Sequence, residues 1–180
     1  MMKSLLLVPS IVATVAWAQP TTSYQDFKLE NQEIIFQKVI TEDSITVAKL
    51  EDFYRSLPNV SNMEIHANGL EFDIADITVD YAKFQFSQVA TPLIIQTGKY
   101  SGHVAAEVRN GRYRLTMSKI KLTGNIGYKM INEKDDLTTY ATRNSGTQLS
   151  PDWCKPNTLG LLGQAFADKL TFAGKEKSDW

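Results

Sequence analysis

The sequence predicts an α+β fold, an antiparallel sheet with two helices packed on one of its faces, and three observations carry that prediction. Two Asn-Gly dipeptides, Asn68-Gly69 and Asn110-Gly111, each lie between stretches in which apolar and polar residues alternate, the strongest short-range signature of a β-hairpin. Two further stretches, one after Asp43 and one after Pro156, repeat apolar residues at helical spacing instead. The resulting order of strand, helix, four or five strands, loop and helix suits a two-layer sandwich.

Residues 1–18 read as a secretory signal peptide. Lys3 supplies the positive start, Leu5 to Val15 the apolar run, and Ala16-Trp17-Ala18 the small-x-small cleavage site. A membrane anchor would need about 18 to 20 unbroken apolar residues, and Pro9 and Ser10 interrupt this run. The mature chain is expected to begin at Gln19, to form one domain over 19–180, and to reside in the periplasm or outside the cell without membrane insertion. Its single Cys154 has no internal disulfide partner, so it is a free thiol or bridges to another chain.

Glu33 to Thr41, rich in Ile, Val and Phe, reads as the first strand. Asp43 then fits the N-cap of a helix over 44–57, with Val47, Leu50, Tyr54 and Leu57 as its stripe, Phe53 beside it, and Pro58 as its stop. Pairing outward from Asn110-Gly111 sets Val108 against Tyr113, Ala106 against Leu115 and Val104 against Met117. One face is then apolar, and the other pairs Glu107 with Arg114 and His103 with Ser118. The same construction at Asn68-Gly69 pairs Ala67 with Leu70, Ile65 with Phe72 and Met63 with Ile74. Each second strand breaks its alternation once, near Ser118 and near Ala75, as a β-bulge or strand end would. Residues 124–153 read as a polar loop. Leu159, Leu162, Phe166 and Leu170 mark the last helix, with Asn157 or Thr158 as its cap.

With 43% hydrophobic and 22% charged residues, the chain is neither collagenous nor disordered. Charge is uneven along it: 26–80 holds twelve acids and four bases, whereas 109–129 holds six bases and no acid. Alternation places Arg112 and Arg114 on one strand face with Lys119 and Lys121 close by, a surface suited to an anionic glycan, a phosphate or an acidic envelope protein. His66 and His103 lie on outward strand faces without HxH or HExxH spacing, and the Asp73, Asp76, Asp80 series lacks the calcium-loop pattern, so no metal site and no cofactor are expected. An enzyme would have to be a small hydrolase or thiol enzyme built from Cys154 with His66 or His103.

The segment Val108-Arg109-Asn110-Gly111-Arg112-Tyr113-Arg114, behind a signal peptide and a strand-helix opening, resembles a family of exported bacterial proteins of unknown function described as having a TATA-binding-protein-like fold. The resemblance covers about Gln32 to Leu122, leaves 123–180 as an additional loop and helix, and supplies no catalytic residues. Its fold name suggests nucleic acid, but a net charge of −1 lacks the cationic excess that displaces phosphate counterions. The expectation is therefore a non-enzymatic binding or structural module of the cell envelope, with Arg112, Arg114, Lys119 and Lys121 as the candidate face for an envelope protein or anionic glycan and not for nucleic acid.

Overall fold

The computed structural model describes residues 21–127 and 129–172; the signal peptide and its junction at Gln19 lie outside them. Among these residues ten strands and four α-helices follow in the order β1 Ser23–Tyr24, β2 Phe27–Glu30, β3 Glu33–Thr41, α1 Val47–Ser56, β4 Val60–His66, β5 Gly69–Ile77, α2 Leu93–Thr97, β6 Lys99–Val108, β7 Arg112–Asn125, β8 Met130–Asp136, α3 Leu137–Ala141, β9 Thr142–Arg143, β10 Gln148–Leu149 and α4 Leu161–Leu170. The main sheet is antiparallel throughout and runs β1-β2-β3-β7-β6-β5-β4, with β8 joining β7 beyond the end of β3. The expected α+β class is the observed one.

Alternation decides the layers. Phe36 on β3, Phe72 on β5, Val104 and Ala106 on β6, and Tyr113, Leu115 and Met117 on β7 share one face and are fully buried. Leu50 and Tyr54 of α1 and Leu162, Phe166 and Leu170 of α4 close over them in a single core. Each buried Val, Leu, Met or Phe among them stabilises the fold by about 1.5–3 kcal/mol. Three phenols anchor this layer. Tyr54 donates to the Leu170 carbonyl at 2.9 Å, Tyr100 donates to Ile94 at 3.0 Å, and Tyr113 accepts from the Phe172 amide at 2.7 Å. Burial raises all three phenols above their ordinary pKa, Tyr113 to about 12.

The hairpin at Asn110-Gly111 has the expected register. Val108 pairs with Tyr113, Ala106 with Leu115, Val104 with Met117 and Glu107 with Arg114, and both turn residues have positive φ, 50° and 69°. Both expected bulges are present. Lys119 (φ 50°) is added in β7 opposite the Ser101 to His103 step, and Asp76 (φ 54°) in β5 opposite the Tyr100 to Gly102 step.

The other hairpin corrects the expectation. His66 pairs with Gly69, Ile65 with Leu70 and Glu64 with Glu71, so Ala67-Asn68 forms the turn and the register is moved by two residues. Gly69 is already inside β5, opposite Glu107, and a Cβ there would stand 2.4 Å from the Ala106 carbonyl oxygen. Close approach of β6 takes the glycine that the turn would otherwise have used. A bulge between Ser61 and Glu64 then blunts β4 as the sheet edge, and Ile65, expected to be covered, is 48% exposed.

Three further expectations change. Thr46, not Asp43, caps α1, accepting from the Lys49 amide at 3.3 Å. Neither Asn157 nor Thr158 caps the last helix: Pro156–Gly160 is a π-helical turn leading into α4, and the Asn157 amide donates to the Ala90 carbonyl instead. The stretch read as loop contains β8, α3 and the β9–β10 pair. β8 is an edge strand on which Ile131 alone is buried and alternation is absent, while α3 is a single turn capped by Asp136. Leu137 of α3 and Ile94 and Ile95 of α2 join the same core as the two expected helices.

Candidate functional site

All four helices contribute to one core on one face of the sheet, and no described helix lies over the other. On that outer face the period-two rule displays, from β4 to β7, Glu64, then Glu71 and Asp73, then His103, Ala105 and Glu107, then Arg112, Arg114, Thr116 and Ser118. The β7 bulge adds Lys119 and Lys121 to the same side, since Ile120 and Leu122 point into the core. The face is thus divided into an acidic strip on β4 and β5 and a basic strip on β7, with β6 between them.

All four cations of the expected binding face share this surface, and acids beyond the expected cross-strand Glu107 lie near them. Arg114 forms an ion pair with Glu107, its Nε lying 3.0 Å from Oε2. The Lys119 amide donates to the Glu33 carboxylate, and its ammonium is close enough to help lower the Asp73 pKa. Lys121 lies opposite Asp136 and helps lower that of Asp135. Arg112 is exposed and makes no ion pair with any described residue. A field read along the chain overlooks these acids because β3, β5 and β8 bring them from 33, 73 and 136 across the sheet.

At the seam of the two strips His103 is held between carboxylates. Its Nδ1 lies 2.9 Å from Asp73 Oδ1 and its Nε2 3.3 Å from Glu71 Oε2. Asn62 donates to the other Asp73 oxygen at 2.8 Å. That amide first, and then the His103 ring, hold the Asp73 carboxyl below its ordinary pKa. The sequence predicted the outward direction of both residues but not their meeting, because the 21 residues of irregular chain and helix between β5 and β6 concealed that these strands are neighbours.

Two hollows interrupt the outer face near the hairpin tips. The larger, about 800 Å³, has Gly69 and Ala105 in its floor and His66, Glu71, Glu107 and Arg109 around it. The smaller, about 210 Å³, lies among Val39, Arg112 and Arg114. Val39 is 58% exposed on this same side.

The thiol arrangement of the alternative reading is not assembled. Cys154 packs half-buried against the helix-side core, where burial raises its pKa against the opposing charge of Arg143. His66 and His103 lie on the opposite face of the sheet. Asp73, Asp76 and Asp80 are also dispersed: Asp73 faces His103, Asp76 occupies the β5 bulge, and Asp80 accepts from the Lys83 amide in the following turn. Among the described residues no three His, Cys, Asp or Glu side chains converge as a metal site, and no helix is long and apolar enough to cross a membrane.

No protein-family model matches the chain, and no curated protein matches it. Among solved structures, a DUF4468 family protein from Bacteroides ovatus is similar at TM-score 0.43 and 14% identity, over 79% of this chain and 84% of that one. A TBP-like protein from Parabacteroides distasonis is similar at TM-score 0.41 and 10% identity, over 77% and 86% respectively.

Proposed function

We propose that this chain is an exported, non-enzymatic binding module of the bacterial cell envelope, and that the outer sheet face is where it binds. The observation that carries the reading is the asymmetry of the sheet: one face is closed by four helices, while the other is left without a described helix and bears charged side chains in two strips. A sheet that served only as scaffold would need neither the aligned bulges nor the concentration of Arg112, Arg114, Lys119 and Lys121 on one strand. Within this reading the basic strip meets an anionic group of the partner, and the adjacent acids restrict which partners fit, because like charges brought together cost several kcal/mol.

Affinity capture from the native envelope, with the wild-type protein and the Arg112→Ser/Arg114→Ser variant compared side by side, tests it. The variant is expected to fold and to lose the partners held at low salt. Retention of the same partners with the same salt dependence would reduce the face to a solvated surface.

A further inference from the structure

We propose that the outer face is self-complementary and that its partner is a second copy of this chain, packed face to face about a two-fold axis running along β6. This rests on the reading of that face as the interaction surface and names its occupant.

Charge carries the first half of the argument. β5 and β7 stand on either side of β6, two strand spacings or about 10 Å apart. A two-fold rotation about β6 exchanges them, so the basic strip of each copy lies over the acidic strip of the other, and every favourable pairing occurs twice. Register along the strands matches as well. Asp73, His103 and Ser118 share one level, with Lys119 next to it, and Gly69, Glu107 and Arg114 share another. The rotation keeps levels, so Lys119 of one copy arrives beside Asp73 of the other, and Arg114 arrives above Gly69.

Shape carries the second half. At the level where the arginines arrive, the acidic side is hollow, because Gly69 and Ala105 leave the 800 Å³ groove between Glu71, Glu107 and His66. Arg112, exposed and without an ion-pair partner among the described residues, is at the rim of the opposite strip and has the reach and planar fork to engage carboxylates there. Ala105 lies on the axis itself, where its small side chain lets two sheets approach. An extended polyanion would use the basic strip alone and be repelled by the acidic one, whereas a second copy uses both.

Sedimentation equilibrium of the purified protein at low and high salt tests the proposal, together with two charge-reversed variants, Arg112→Glu/Arg114→Glu and Glu64→Lys/Glu71→Lys, whose folding is checked by circular dichroism. The wild type is expected to reach twice the monomer mass at low salt and return toward monomer at high salt. Each variant alone is expected to associate at least roughly tenfold more weakly, and an equimolar mixture of the two to recover the doubled mass. A wild type that remains monomeric at low salt overturns the proposal, as does a dimer indifferent to salt and to the arginine reversal. If the lysine variant does not fold, the wild-type salt series and the arginine variant still decide. A monomeric wild type whose envelope capture is lost on Arg112→Ser/Arg114→Ser refutes the second copy and leaves the binding reading standing.

Discussion

The two hairpins carry the same Asn-Gly dipeptide between the same kind of alternating strands, and only one of them turns there. At Asn110-Gly111 both residues take positive φ and the strands on either side keep their register. At Asn68-Gly69 the turn moves back onto Ala67-Asn68. The local signal is equal in the two cases, so the difference lies in what the neighbouring strand demands. β6 passes so close to Gly69 that only a hydrogen fits, whereas Gly111 sits at a tip with Asp43 as its nearest contact, 3.3 Å from a Cβ built there. A glycine needed by the third strand is not available to the turn.

Substitution at the two glycines separates these roles most sharply. Gly69→Ala is expected to cost about 2–3 kcal/mol because its methyl has no room beside the Ala106 carbonyl. Gly111→Ala is expected to cost about 1 kcal/mol, the strain of a left-handed conformation alone. Asn at the two positions sharpens the contrast, since it tolerates positive φ but not lack of space: Gly111→Asn should be close to neutral, and Gly69→Asn as damaging as Ala. Urea midpoints at constant m-value report all four. Equal costs at the two sites would remove the distinction.

That contrast also explains how much of the molecule was legible. Where a strand's pattern concerned only its own turn and its own burial, as in 33–41 and 104–122, residues and register could be read directly. Where a third element intervened, the reading shifted: β6 takes Gly69 from the turn. β8 escaped because an edge strand that buries only Ile131 has no alternation to detect. For the site, the direction of Arg112, Arg114, Lys119 and Lys121 followed from period two and one bulge. Their acidic neighbours did not, because Glu33, Asp73 and Asp136 come from strands whose order in the sheet no local pattern encodes.

The hairpin at Asn110-Gly111 is further distinguished by Tyr113, whose oxygen receives the Phe172 amide and ties β7 to the segment after α4. Tyr113→Phe keeps the ring and removes that acceptor, and a loss of about 1 kcal/mol is expected in the same urea assay. The alternation Arg112-Tyr113-Arg114 thus serves both layers, the tyrosine anchoring the core and the arginines facing out.

Asp73 links one hairpin to the other through His103, and its lowered pKa gives that link a pH dependence. A carboxylate whose folded pKa is depressed contributes stability above its unfolded value, near 3.8, and loses it as pH falls through the lower folded value. Wild-type stability should therefore fall more steeply than that of Asp73→Asn between about pH 5 and the acid limit, by a small amount because both groups are partly exposed. Parallel pH profiles would show that the contact contributes nothing.

The smallest effect on stability, below about 0.5 kcal/mol for each exposed residue, is expected for Arg112→Ser and Arg114→Ser. Their consequence should appear in binding instead. The central claim, that the outer sheet face is the interaction surface, is tested most directly by lysine acetylation read by mass spectrometry, comparing the protein with native envelope extract at low salt against the protein alone at high salt, where the face is released from a second copy as well. Protection is expected at Lys119 and Lys121 on that face, with Lys49 on α1 and Lys83, paired with Asp168 of α4, equally reactive in both samples. Protection at Lys49 and Lys83 with Lys119 and Lys121 unchanged would place binding on the helical side and contradict the account.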